Sequence, residues 1–354
     1  MNRPTQVDVA KRAGVSRATV SYVLNGATNK GVPISAETQQ RVWDAIEELG
    51  YEPHAQARSL RSGGATKTIG ILIPDVRNPH YWEMMEGFEL EARQWGYHVM
   101  MYSSELSGER GITILRALAG RRIDGIIIIG SYVTYSKEAQ IILNQLLKQQ
   151  LPIVLGNFDY ETDCLHSDYR HATTELLHYL YGLGHRQISL LYGVAPDEEA
   201  LDRLEPYKAF LNEHQLPLLE TSVIECGPTI RDGYLAACRI FSVDSPPTAL
   251  VCVNDWLAMG AIRAAHEYNL RVPDDISISG YDGINLGEYM TPSLTTVSWD
   301  TIKWSREAFR FLVRRLEDPN EDYQKVTIPH EVLIRESTGA APQLPASTWE
   351  ERRR

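Results

Sequence analysis

Two groups of residues in this 354-residue chain are of types that do chemistry at the spacing found. The first is Arg17, Thr19, Ser21 and Tyr22 within RATVSYVL, side chains that hydrogen-bond to base edges and to phosphates. The second follows a series of apolar runs: Asn157 and Phe158 after PIVLG, Asp202-Arg203 after QISLLYG, Asn254, Asp255 and Trp256 after ALVCV, and Asp282 after SISGY. Aromatic faces beside Asn, Asp and Arg suit a sugar, whose ring has apolar C–H faces and hydroxyl edges. Bond-making chemistry has no such support. The ten His are scattered, Asp274-Asp275 reads as turn and cap residues, and Walker-type glycine loops, H-E-x-x-H and G-x-S-x-G are absent. We therefore expect no enzyme, no catalytic residue, no metal and no cofactor. Cys164, Cys226, Cys238 and Cys252 form no C-x-x-C pair and read as buried small apolar residues.

The elements that would carry the first group are short helices. Thr5 and Asp8 have nearly the spacing of a capping box, so a helix starts near Gln6, with Val7, Ala10 and Ala13 on one face. Gly14 breaks it and Val15 plugs the corner. Ser16 caps a second helix, Arg17 to Leu24, with Val20, Val23 and Leu24 inward. Ser35 caps a third, with Val42, Trp43, Ile46 and Leu49 as its apolar stripe and Gly50 as its end. Helix, glycine turn, helix is the helix-turn-helix pattern, although a small helical bundle of another kind fits the same signals.

Charge separates this segment from the rest. The whole chain carries 35 Lys+Arg against 46 Asp+Glu, a net of −11, which taken alone argues against nucleic acid. Residues 1–66 nevertheless have a slight basic excess of +2, leaving −13 on the remainder. A basic end on an acidic body suggests a nucleic-acid module joined to something else. Hydrophobic residues at 43% and charged ones at 23% are ordinary for a globular protein. No apolar run approaches the roughly 18–20 residues of a membrane span. MNRPTQVDVAKRAG lacks the apolar stretch of a signal peptide, so the expected location is the cytoplasm.

The body has a βα rhythm. Apolar runs TIGILIP (68–74), HVMMYS (98–103), GIIIIG (125–130) and PIVLGN (152–157) form one series. QISLLYG (187–193), ALVCVND (249–255) and SISGYDG (277–283) form a second. Helical stretches lie between them, one with the stripe Tyr81, Trp82, Met84, Met85, Phe88, Ala92 and Trp95. Such alternation implies parallel sheets covered on both faces, here two doubly wound lobes, with ligands beyond the strands' carboxyl ends. Residues 295–300 then cross back toward the first lobe.

DVAKRAGVSRATVSYVLN followed by SAETQQRVWDAIEELGYEPHAQARSLRSG resembles the lactose-repressor/galactose-repressor family of bacterial transcription regulators. With the body's similarity to the periplasmic sugar-binding fold, the resemblance covers roughly residues 5–338. It implies an all-α helix-turn-helix domain (1–53), a hinge helix and linker (54–66), and a two-lobed α/β effector-binding and dimerisation domain (67–338). The Pro- and Ala-rich end, 339–354, is expected to be a disordered tail.

By that resemblance Arg17, Ala18 and Tyr22 face the major groove. Ser16, Thr19, Ser21 and Asn25 set the backbone on phosphates. Arg58 and Leu60 belong to a hinge helix that enters the minor groove, Leu60 as an apolar wedge. Solvent exposure, partial packing for Tyr22 and an ordinary linker leucine for Leu60 are the plainer alternatives. Tyr81, Trp82, Asn157, Phe158, Arg203, Asp255 and Trp299 match effector-contacting positions. Tyr81 and Trp82 also fit a core stripe, Asp255 also fits a helix N-cap, and Arg203 also fits a surface pair with Glu199 or Glu205. Glu205-Pro206 stands where the family carries Gly, which leaves the course of the Arg203 helix open.

The implied function is a dimeric repressor on a pseudo-palindromic operator in double-stranded DNA, released by a small-molecule effector, a sugar or oligosaccharide. The alternatives are a regulator with a co-repressor such as a purine, and a solute-binding protein without a DNA role.

Overall fold

The computed structural model describes residues 4–24, 34–51, 66–120, 123–130, 136–192 and 198–342, with only the backbone for 198–201. Its contacts divide the chain into Met1–Thr66 and Lys67–Arg354.

In the first unit, Thr5 and Asp8 close a reciprocal capping box at the start of α1 (Gln6–Ala13). The helix ends on Gly14 at φ +65°, a conformation that favours glycine, and the corner leads into α2 (Arg17–Leu24). α3 (Ala36–Leu49) begins at Ser35 and stops at Gly50, φ +58°. The core is Val9, Ala10, Ala13, Val20, Val23, Val42, Ala45 and Tyr51. Two expectations are corrected. Val7 is 57% exposed, and Val9, two residues and half a helical turn away, is buried instead. Trp43 is 47% exposed, and Ala45 takes the inward place three residues beyond Val42, where α3 meets α1.

In the second unit, the first lobe carries β1 (Thr68–Ile73), β2 (His98–Ser103), β3 (Gly125–Ile128), β4 (Ile153–Gly156) and β5 (Asp163–Ser167). The second carries β6 (Ile188–Tyr192), β7 (Val223–Glu225), β8 (Ala249–Cys252), β9 (Ser277–Asp282) and β10 (Thr295–Ser298). β11 (Lys325–Ile328) joins the first sheet and β12 (Glu331–Leu333) the second, giving the orders β11-β5-β4-β3-β1-β2 and β12-β10-β9-β8-β6-β7. All neighbours are parallel except β10 and β12. β5, β7, β10, β11 and β12 escape the sequence reading because they are short, polar or at a sheet edge. β11 buries only Ile328.

The chain passes between lobes three times. After β5 it enters the helix Tyr169–Gly182, which packs in the second lobe's core. After β10 it enters the helix Thr301–Glu317, which returns to pack on the helix Pro79–Trp95. Between β11 and β12 it passes through Pro329-His330. Buried carboxylates fasten the returning helix. Glu91 accepts from Arg306 and Arg310, each at 2.8 Å. Asp163, fully buried, accepts from Arg314 at 2.7 Å, Arg315 at 3.1 Å and the Gln324 N–H at 2.8 Å. Losing any one of those arginines would leave a buried charge undercompensated.

Gly339 and Ala341, expected in the tail, are instead tied to the second lobe. Gly339 donates to Ser277 Oγ at 3.0 Å and its carbonyl meets His185 Nε2 at 3.0 Å, and the Ala341 N–H donates to Leu183 O at 2.9 Å. Residues 343–354 lie outside the described residues. Cys164 and Cys252 are buried as expected, but Cys226 and Cys238 are only half-buried, each at the margin of the second lobe's core.

Candidate nucleic-acid interface and effector pocket

α2 turns Val20 and Val23 inward, so its other face carries the residues of interest. Arg17, Ala18 and Tyr22 are exposed, and Thr19 and Ser21 are half-buried. Ser16 Oγ accepts from the Thr19 N–H at 3.1 Å and meets Thr19 Oγ1 at 2.9 Å, so it caps the helix whose first turn presents Arg17. Asn25, Arg58 and Leu60 lie outside the described residues.

The second unit has a cleft at the carboxyl ends of its strands, lined from both lobes and holding about 790 Å³ of space including its mouth. Asp75, Asn78, His80 and Tyr81 follow β1, and Asn157 follows β4. From the second lobe come Arg203, Asn254, Trp256 and Asp282; from the crossings come Tyr169, Trp299 and Trp304.

Four of the seven expected effector residues line this cleft: Tyr81, Asn157, Arg203 and Trp299. Arg203 is 5% exposed. Its helix, Glu198–Glu213, runs on through Pro206, and its guanidinium lies 3.8 Å from the Tyr169 ring centroid and 5.3 Å from that of Tyr281. Glu205 meets Lys208 instead, at 3.8 Å. Asn157 stands at φ +56° and accepts from the Ser167 N–H at 2.7 Å, tying the ends of β4 and β5. The Trp299 ring lies 5.4 Å from His80 and 5.6 Å from a stacked His330.

Three do not line it. Trp82 lies away from the buried stripe His80, Met84, Gly87, Phe88, is 56% exposed, and donates from Nε1 to Val76 O at 2.6 Å. Phe158 packs into the first lobe's core and stacks on Tyr160, because the chain turns inward after Asn157. Asp255 is fully buried beneath the cleft, bonded to Thr296 Oγ1 at 2.6 Å and to the Ile284 N–H at 2.9 Å. The helix cap at that point is its neighbour Asn254, whose Oδ1 accepts from the Leu257 N–H at 2.7 Å.

The cleft is also lined by Asn254, Trp256 and Asp282, which the strand ends offer without singling them out, and by Asp75, Asn78, His80, Tyr169 and Trp304. The strand-end rule pointed at most of them but could not choose between adjacent residues such as Asn254 and Asp255. Tyr169 and Trp304 carry no local signal, since they reach the cleft only because the chain crosses between lobes there.

Electrostatics mark the same place. Burial raises the Asp282 carboxyl above its ordinary range, while His80, Arg203 and a hydrogen bond from Asn78 pull the other way. Burial first, and the Asp282 charge second, push Asp255 well above the usual carboxylate range. Burial, then Arg203, lowers His330 to about 4. His80 Nδ1, Trp299 Nε1, Trp304 Nε1 and both His330 nitrogens are buried without a hydrogen-bond partner among the described residues. Such groups cost free energy until something hydrogen-bonds to them. Among the described residues no group of three or more His, Cys, Asp or Glu could hold a metal ion. No described helix is long and apolar enough to cross a membrane.

Residues 5–54 match the family described as bacterial regulatory proteins, lacI family, and residues 177–338 match the periplasmic binding protein-like domain. Catabolite control protein A of Priestia megaterium is 32% identical over 340 residues, covering 94% of this chain and 99% of its own. The HTH-type transcriptional repressor PurR of Haemophilus influenzae (strain PittEE) is 32% identical over 338 residues, covering 93% and 97%. Among solved structures, the lac repressor dimer bound to operator and the anti-inducer ONPF matches with TM-score 0.80 and 25% identity over 96% of this chain and 100% of that one. A LacI-family regulator from Enterococcus faecium with bound ribose matches with TM-score 0.70 and 28% identity over 77% and 99%.

Proposed function

The chain belongs to the lacI family of bacterial regulatory proteins, and from that premise we propose that it is a repressor whose cleft takes a neutral sugar or oligosaccharide. It is a transcriptional regulator and not an enzyme. The observation that carries the carbohydrate reading is the pairing of charges and planes in one cleft. Arg203 and Asp282 set a cation and an acid beside the indoles of Trp299, Trp304 and Trp256. An acid and a guanidinium bracket hydroxyl edges, indoles cover C–H faces, and opposite charges in one cleft favour a ligand with no net charge. The ribose held by the Enterococcus faecium relative is in keeping with this.

A dimer would place two copies of α2 in successive major grooves of a pseudo-palindromic operator. Arg17, Ala18 and Tyr22 would read bases, and Ser16, Thr19, Ser21 and Asn25 would meet phosphates. Arg58 and Leu60 would act in the minor groove. Ligand would then release DNA only through unequal affinity for two arrangements of the lobes. The deciding experiment is a thermal-shift screen with D-ribose, D-galactose, cellobiose, adenine and hypoxanthine. Binding at a hundred times Kd adds roughly 2.7 kcal/mol, a readable shift. Stabilisation by the nucleobases alone would reject the sugar and favour a co-repressor. For DNA, a gel shift with the chain's own upstream region should show Leu60→Ala binding more weakly than wild type; equal affinity removes the wedge.

A further inference from the structure

Asp282 reaches the cleft from a backbone conformation that a non-glycine residue adopts only under constraint, φ +107°, and Gly283 follows at φ +67°. Gly283 has the freedom for a positive φ and Asp282 does not, so the turn needs support from outside the dipeptide. Its fixing points lie below it. Asp255 Oδ2 accepts from the Ile284 N–H at 2.9 Å, and Oδ1 is 2.6 Å from Thr296 Oγ1. Thr296 Oγ1 accepts in turn from the Gly283 N–H at 3.3 Å. Two backbone donors just after Asp282 are thus held by one carboxyl and one hydroxyl, both fully buried. The fit leaves no slack. A Cβ on Gly280 would lie 2.2 Å from Asp255 Oδ1, and one on Gly283 would lie 2.2 Å from Ser298 Oγ.

We infer that Asp255 is the positioning residue for Asp282: with Thr296 it clamps the 282–284 turn and so aims the Asp282 carboxyl into the cleft. The inference rests on the reading of the cleft as the effector site. It gives Asp255 a role without ligand contact, which its complete burial requires. The clamp needs an acceptor toward Ile284 and a hydrogen-bonding group toward Thr296. A carboxyl pushed toward its protonated form by burial has both, and so does an amide. Asp255→Asn therefore keeps the clamp. Asp255→Ala removes both contacts, and Thr296→Val removes the hydroxyl that joins Asp255 to Gly283.

The test combines crystal structures of the full-length variants with titrations of D-ribose and cellobiose, read by tryptophan fluorescence. In Asp255→Asn, Asp282 keeps its positive φ and sugar affinity stays within about threefold of wild type. In Asp255→Ala, Asp282 relaxes to an extended conformation and affinity falls on the order of 10–100-fold, the usual effect of losing a partner that orients a binding group. Thr296→Val falls between them, and decides the matter alone if Asp255→Ala does not fold. An Asp282 unmoved in Asp255→Ala with affinity intact, or an Asn variant as impaired as the Ala one, overturns the inference. If neither sugar binds wild type, it is the carbohydrate reading that suffers, and the φ of Asp282 in the variants still decides the clamp.

Discussion

The helix-turn-helix unit and the two-lobed unit place their candidate contact residues in opposite environments. In Met1–Thr66, Arg17, Ala18 and Tyr22 stand in solvent on an eight-residue helix above a core of small side chains. In Lys67–Arg354, Arg203 and Trp299 are almost wholly buried, and the orphaned polar atoms around them are buried too. A surface that meets a large charged duplex needs side chains that reach outward, and the duplex supplies the desolvation. A site for a small neutral molecule must instead enclose it, so its polar groups are desolvated in advance and held by second contacts. A head residue therefore acts by itself, whereas a cleft residue acts through its neighbours.

The largest effect that would break this contrast comes from the head's core. Val20→Asp puts a charge into a cluster of seven Val and Ala side chains closed by Tyr51 and should cost on the order of 4 kcal/mol or more, unfolding the unit. Operator binding should vanish in a gel shift while sugar affinity of the same protein, by calorimetry, stays near wild type. A parallel loss of sugar affinity would mean that the two units do not fold independently. Next, Arg203→Ala should weaken sugar binding by roughly 1.5–3 kcal/mol, the usual worth of a hydrogen bond to a charged group, because it removes the buried guanidinium held over Tyr169 from the cleft. Isothermal titration checks this, and a loss under threefold would show that the cleft residues are not coupled as described.

The third expectation is a pH dependence confined to the second unit. His330 has its protonation depressed to about 4 from the ordinary 6.5, so between these values the unfolded chain binds the proton and the folded one does not. The contribution of His330 to stability is then full above pH 6.5 and falls as pH drops toward 4, by on the order of 3 kcal/mol at most, while the raised carboxyls of Asp255 and Asp282 act in the opposite sense. His330→Gln should flatten that slope in denaturant titrations; an unchanged slope assigns it elsewhere. The smallest effect belongs to the exposed face. Arg17→Ala should cost about 1–3 kcal/mol of discrimination at one operator position, leaving the thermal midpoint unmoved. A shifted midpoint would give Arg17 a packing role and weaken the contrast.

The two regions also differ in how much of them could be read from residues in order. The capping box of Thr5 and Asp8, the stops at Gly14 and Gly50, and α2 from Arg17 to Leu24 follow from contacts three or four residues apart, and all stand as expected. Even there the choice of inward residues slipped at Val7 and Trp43, because hydrophobicity was counted without the small volume that three short helices leave between them. In the second unit the apolar runs mark seven strands: six because a strand buried on both faces must be apolar throughout, and the edge strand β2 because it carries Val99, Met100 and Met101 although both methionines are exposed. The edge strand β11, with Lys325 and Val326 in solvent, has no such need and gave no signal. At the strand ends the rule named the neighbourhood but not the residue: Asp255 and Phe158 turned inward, Asn254 and Asp282 turned to the cleft.

Capping, glycine stops, apolar periodicity and charge are properties of residues near one another in the chain, so a slightly basic helix-turn-helix head and an acidic two-lobed α/β body follow from residue order alone. Which side chains form the cleft does not. Tyr169, Trp299 and His330 meet because the chain passes between lobes three times, and Asp282 faces the cleft because Asp255 and Thr296 hold the turn that carries it. Those contacts join residues far apart in the chain, and their direction depends on backbone angles that packing imposes.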